Sequence, residues 1–167
     1  MAPSPTLLAT ARSYLHALST ISPDGIAAVT TPSFSTTVAP NSTGLTAAPV
    51  TRDSLVQRYR GLKAVLSSMN VQVEREWPLD EGNNQVIVWT TARAEFRPEI
   101  VGKDKEEDWT FNPETLFVFT MDETGEKVES LFEFQDSVAL RGMDAVFGRA
   151  MERLGGRGGS GEPGKLD

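Results

Sequence analysis

Cysteine is absent from the 167 residues, and histidine occurs once, at His16. The first absence removes disulfides, thiolate nucleophiles, thiolate metal sites and iron–sulfur clusters. The second rules out a histidine-rich metal site and leaves a Ser-His-Asp triad one residue to draw on. Positive charge is also scarce: 16 Lys and Arg stand against 23 Asp and Glu, a net charge of −7. A chain of that balance has no cationic face for displacing counterions from phosphates, so nucleic acid is excluded as a partner, and an anionic membrane surface repels it. No apolar run reaches the ~18 residues that suggest a membrane span. The opening MAPSPTLLATARS lacks the basic stretch and the long apolar run of a secretory signal. The expectation is a cytoplasmic protein with no metal and no cofactor.

What is present suffices for one domain. Apolar residues make up 39% of the chain, and a length of this order leaves no room for a second core. The spacing of Leu7, Ala11, Tyr14 and Leu18 predicts a helix over 5–19, with Ser4 as its cap and Pro5 in its first position. His16 lies round from that stripe beside Arg12 and Ser13, on the solvated side. Ser22-Pro23-Asp24 starts a short helix to Val29. Residues 31–50 are rich in Thr, Ser and Pro, with Phe34 the one large apolar side chain, and read as a long irregular stretch. Thr51 caps a third helix whose stripe is Leu55, Tyr59, Leu62, Leu66 and Met69.

The period then changes from helical to alternating. Over 70–80, Val71, Val73, Trp77 and Leu79 share one strand face, and Arg75 sits in that apolar register. Further strands are expected over 85–96, 110–121 and 127–136, with a charged loop at 103–108 and a hairpin turn at Asp122-Glu123-Thr124-Gly125. In the last strand Leu131, Glu133 and Gln135 share a face, and Val128, Phe132 and Phe134 the other. A final helix covers 140–154, and the glycine-rich segment 155–167 is a tail outside the domain of residues 1–154. Helices before an antiparallel meander define an α+β fold, in which helices on one face of a curved sheet enclose a conical pocket.

Three stretches within this order carry a resemblance: ATARSYLHAL (9–18), FNPETLFVFTMDETGEKV (111–128) and ESLFEFQDS (129–137). They resemble the opening helix, the Tyr-x-Asn-Glu-Tyr strand with its hairpin, and the Glu-Phe-x-Asp-Ser ending of small fungal members of the NTF2-like superfamily, in its SnoaL-like branch. The resemblance implies a helix-and-sheet cone. It implies a cofactor-independent isomerase or cyclase acting on a polyketide, meroterpenoid or alkaloid intermediate. A dehydratase, or a binding protein of the same fold without turnover, is the alternative. It places the acid–base glutamate of the last strand on Glu133. The two pocket tyrosines of the pattern fall on Phe111 and Thr115, which have no phenol, and its Asn falls on Pro113, while its Glu is kept as Glu114.

The residues themselves point the same way. A carboxylate on a strand covered on both faces is desolvated, which brings it toward the working range of a general acid or base. Arg75, Arg93, Glu95 and Glu114 are the other charges of the central strands, and Arg75 and Arg93 join Glu133 as catalytic candidates able to polarise a carbonyl. Tyr14, Tyr59, Trp89, Phe111, Thr115 and Phe117 are the candidates for contact with a hydrophobic small-molecule substrate. Each also has a plain reading: the tyrosines and Trp89 as core packing, Arg75 as half of an ion pair, Glu133 as a structural carboxylate. The apolar face of Val128, Phe132 and Phe134 suits a homodimer.

Overall fold

The computed structural model describes residues 2–43, 48–79, 82–105 and 109–158. Helices α1 (Ser4–Ser19), α2 (Pro23–Val29) and α3 (Arg52–Val65) lie where the 3.6-residue spacing of their apolar residues predicts them. Helix α1 starts on extended Pro3 with no side-chain cap, in place of the expected Ser4 cap. The caps of α2 and α3 are as read: the Ser22 side chain accepts from the Gly25 N–H and Thr51 from the Ser54 N–H. Leu7, Ala11, Tyr14 and Leu15 form the buried side of α1, while His16 is exposed.

The sheet has six strands in the order β2-β1-β6-β5-β4-β3: β1 (Thr30–Ala39), β2 (Val50–Thr51), β3 (Leu66–Pro78), β4 (Gln85–Phe96), β5 (Glu114–Met121) and β6 (Val128–Gln135). Three features depart from the sequence reading. The Thr-rich stretch is a ten-residue strand, β1, running parallel to β6. Its alternation of buried Phe34, Thr36 and Val38 with more open neighbours is a strand pattern in which threonine does the work of an aliphatic residue. Helix α3 stops at Val65, and Leu66 and Met69 belong to β3, because Leu66 turns extended and pairs with Phe96. Helix α5 (Ser137–Gly158) starts earlier than expected, since the Asp136 carboxylate accepts from the N–H groups of Val138 and Ala139 at 2.8 and 3.2 Å. It also runs through 155–158, residues that composition assigns to the tail.

Two of the sheet's register slips change which residues face the helices. Between Val73 and Arg75 the β3–β4 register slips, so Val73 pairs with buried Thr90 but Arg75 pairs with Trp89. Val71 and Val73 therefore point toward the helices, and Arg75 and Trp77 point away from them. Between Thr120 and Met121 a second slip sets Val128 opposite Met121, so Val128 is buried on the helix side, not on the face of Phe132 and Phe134. The Asp122–Gly125 turn forms as expected, with Gly125 at φ +76° and its carbonyl accepting from Thr10 Oγ1 at 2.6 Å. A Cβ at Gly125 would lie 2.3 Å from that of Ala2, so the hairpin meets α1 only through a glycine.

The core fills the concave side of the sheet with α1, α2 and α3. Phe147 of α5 packs on Phe96 and Phe111, with ring centroids 5.2 and 5.6 Å apart. Arg153 fixes the far end of α5: it donates to the Ile100 and Val101 carbonyls of the short helix α4 (Pro98–Val101) and to Asp104. Its guanidinium also lies 4.9 Å from the Trp109 ring.

Candidate active site

Glu133 points to the helix side of the sheet. Its register neighbours fix this: Phe117 on β5 and Val38 on β1 flank it, both buried, and Leu131 precedes it on the same face. Glu133 itself is only half-buried, among neighbours that are closed core. Thr36 Oγ1 donates to Oε1 at 2.9 Å and Gln135 Nε2 donates to Oε2 at 2.8 Å. Burial pushes the carboxyl above its usual range. The two donors and the positive charge of Arg58 on α3 pull the other way without cancelling it.

Two phenols lie near enough for this carboxyl to act on them. Tyr14 of α1 is 1% exposed and Tyr59 of α3 is 7% exposed, and among the described residues neither hydroxyl has a hydrogen-bond partner. Burial raises both phenols, each further because Glu133 is near, with Arg58 partly opposing. Both hydroxyls are therefore protonated donors at neutral pH. Tyr14 is braced by Phe34 and Phe119, with ring centroids 6.3 and 5.4 Å away. Phe119 in turn stacks on Phe117 at 5.7 Å. The core around Tyr14 is thus aromatic.

The candidates named from sequence separate by face. Glu133, Tyr14, Tyr59, Phe117 and Thr115 come together: Phe117 pairs with Glu133, and buried Thr115 pairs with Gln135. Phe111 is buried further along, edge-on to Phe147 under α5. Arg75, Arg93 and Trp89 are exposed and face away from the helices. The β3 bulge turns Arg75 outward, where its guanidinium sits 5.2 Å from the Trp77 ring and, among the described residues, no glutamate pairs with it. Arg93 alternates with buried Ala94 and lines an open polar groove with Asn70, Gln72 and Asn112. Trp89 is 39% exposed and its indole N–H donates to Glu114 at 3.3 Å.

Three residues acting on Glu133 went unassigned in the sequence. Gln135 shares a strand face with Glu133 at two residues' distance, a signal that was legible. Thr36 was hidden because its strand was read as a loop. Arg58 stands one residue from Tyr59, and only the seating of α3 brings its charge to bear on Glu133. Among the described residues no group of three or more histidine, aspartate or glutamate side chains is placed to hold a metal, and no helix is long and apolar enough to cross a membrane.

No family model matches the sequence, and no curated protein is similar to it. Solved structures do match. BvnE pinacolase from Penicillium brevicompactum is 22% identical with a TM-score of 0.72, over 86% of this chain and 92% of that one. AusH from Aspergillus nidulans is 21% identical with a TM-score of 0.68, over 82% and 88%. An NTF2-like protein from Burkholderia pseudomallei is 13% identical with a TM-score of 0.58, over 84% and 96%. With its helices seated on a curved, open sheet around an inward carboxyl, the chain has the NTF2-like fold.

Proposed function

We propose that the protein is a cofactor-independent isomerase or cyclase that moves a proton on a hydrophobic ketone-bearing intermediate of polyketide, meroterpenoid or alkaloid type in fungal secondary metabolism. The observation that carries this reading is the half-buried Glu133 carboxyl, raised by burial, facing two buried phenols with free hydroxyls. The likeness in fold to a pinacolase supports it.

The chemistry follows from the groups. Glu133 takes a proton from the carbon beside the carbonyl. The C–H pair becomes a C=C bond, and the carbonyl π pair moves onto oxygen, where Tyr14 and Tyr59 donate hydrogen bonds. Where a C=C bond is conjugated with the enolate, returning the proton from Glu133 to the far end of the dienolate gives an isomer; attack of the enolate carbon on a second carbonyl closes a ring, that carbonyl's π pair moving onto its oxygen, which takes the proton back from Glu133. Phe117, Thr115 and the aromatic side chains behind them hold the substrate, and a positioned base of this kind contributes about 10²–10⁴-fold.

The test uses 2-tetralone, an enolisable bicyclic ketone, in D2O, with loss of its α-protons followed by NMR. Wild-type protein is expected to accelerate exchange, and Glu133→Gln to remove about 10²-fold or more of that acceleration. Glu95→Gln serves as the control, because Glu95 lies on the opposite face. Equal exchange by wild type and Glu133→Gln would leave a binding protein without turnover, a reading that the missing phenols at Phe111 and Thr115 favour.

The outer sheet face supports a homodimer. Trp89, Phe132 and Phe134 are 39%, 42% and 50% exposed there. Trp89 and Phe134 border a groove of about 470 Å³ lined also by Trp77 and Leu116. The same face carries Arg75 and Arg93 with Glu95 and Glu114, so a two-fold axis can set each sign against the other. Light scattering is expected to give twice 18.2 kDa, and Phe132→Glu with Phe134→Glu to give the monomer.

A further inference from the structure

The two hydrogen bonds on Glu133 are chemically unlike. Gln135 reaches Oε2 through Nε2, which donates and has no lone pair to accept. Thr36 reaches Oε1 through a hydroxyl, which donates or accepts by rotating one hydrogen. Thr36 is 2% exposed, between Phe34 and Val38 along β1. Valine would fill that position in a buried strand at least as well. The Thr36 hydroxyl has no partner other than Glu133 among the described residues.

We propose that Thr36 and Gln135 are positioning residues that keep Glu133 fully hydrogen-bonded in both of its protonation states, with the proton of the acid form on Oε1. In the ionised state both residues donate. In the acid form Oε1–H donates to Thr36 Oγ1, while Oε2, now the carbonyl oxygen, keeps the Gln135 N–H. A proton on Oε2 toward Gln135 would instead meet an N–H, and the amide would have to turn over. The pair thus lets the carboxyl take and return a proton with no heavy atom moving, which is what an acid–base group needs. The other groups acting on Glu133 are Tyr14 from α1 and Tyr59 and Arg58 from α3.

This rests on Glu133 being the acid–base group, but it is read out without any substrate. Infrared difference spectra of the full chain across a pH titration follow the carboxylic-acid C=O band of Glu133, identified by its loss in Glu133→Gln. The carbonyl of the acid form is Cδ=Oε2. Gln135→Leu is therefore expected to move that band to higher frequency, and Thr36→Val to leave it nearly in place. Each variant removes one donor to the anion and is expected to raise the titration midpoint by about one pH unit, with Thr36→Ser restoring it. Circular dichroism checks that each variant is folded, and Thr36→Ala, which also lacks the hydroxyl, stands in should Thr36→Val not fold. A band that moves in Thr36→Val and stays in Gln135→Leu puts the proton on Oε2 and overturns the proposal. Unchanged midpoints in folded variants, or no titrating band in wild type, overturn it too. If the pattern holds while Glu133→Gln still exchanges 2-tetralone normally, the proposed function fails and the positioning pair stands.

Discussion

Glu95 and Glu133 carry the same kind of donors on opposite faces of one sheet. Glu95 accepts from the Asn70 amide at 2.6 Å and the Ser68 hydroxyl at 3.3 Å, and it is exposed. Glu133 accepts from the Gln135 amide at 2.8 Å and the Thr36 hydroxyl at 2.9 Å, and it is half-buried on the helix side. The hydrogen-bond chemistry is nearly matched. What differs is water: on the outer face it shares the work of solvating the anion, and on the inner face two donors and a distant guanidinium must do so. An amide–hydroxyl pair on a carboxylate is therefore no mark of a site by itself. It becomes one where the surrounding residues are closed.

The comparison can be broken at several points. The largest effect is expected in packing: Phe119→Ala on the inner face, where Phe119 is fully buried, should cost about 3–5 kcal/mol, whereas Phe134→Ala, half exposed on the outer face, should cost about 0.5 kcal/mol. Urea unfolding measures both, and similar losses would mean that the outer face is as tightly packed as the core.

A smaller effect is expected with pH. Burial raises Glu133 in the folded state, so the folded chain still holds this proton where the unfolded chain has released it. Its contribution is fully present below the ordinary carboxylate range and is lost as pH rises through the raised folded value. Glu133→Gln is expected to remove that decline in urea unfolding repeated across this window. A slope identical to wild type would show the carboxyl to be as well solvated as a surface acid. The smallest effect belongs to Glu95→Gln, which should change stability at neutral pH by no more than about 0.5 kcal/mol; a larger loss would mean that the outer face is covered in solution.

Much of the fold was legible. The stripes of α1 and α3, the caps at Ser22 and Thr51 and the Asp122–Gly125 hairpin depend on residues within a few positions of one another, and local chemistry decided them. That Glu133 shares a strand face with Leu131 and Gln135 was legible as well, but the side of the sheet to which that face turns was not. Strand β1 was not, because Thr and Ser suit an exposed loop or a buried strand equally until a partner strand is present. β1's main partner, β6, begins about a hundred residues away. Arg75 was read in the apolar register because strict alternation has no means of announcing a bulge.

By itself the sequence determined which groups exist for chemistry: carboxylates, phenols and guanidinium groups, with no thiol and one exposed imidazole. It also determined the local elements, since helix caps and side-chain periods are properties of neighbouring residues. Only the tertiary structure decided which of those groups meet. Parallel pairing of β1 with β6 delivered Thr36 to Glu133, a single slip in β3 turned Arg75 away, and the seating of α1 and α3 put two phenols beside one carboxyl. These are long-range events, set by which faces exclude water, and no local pattern encodes them.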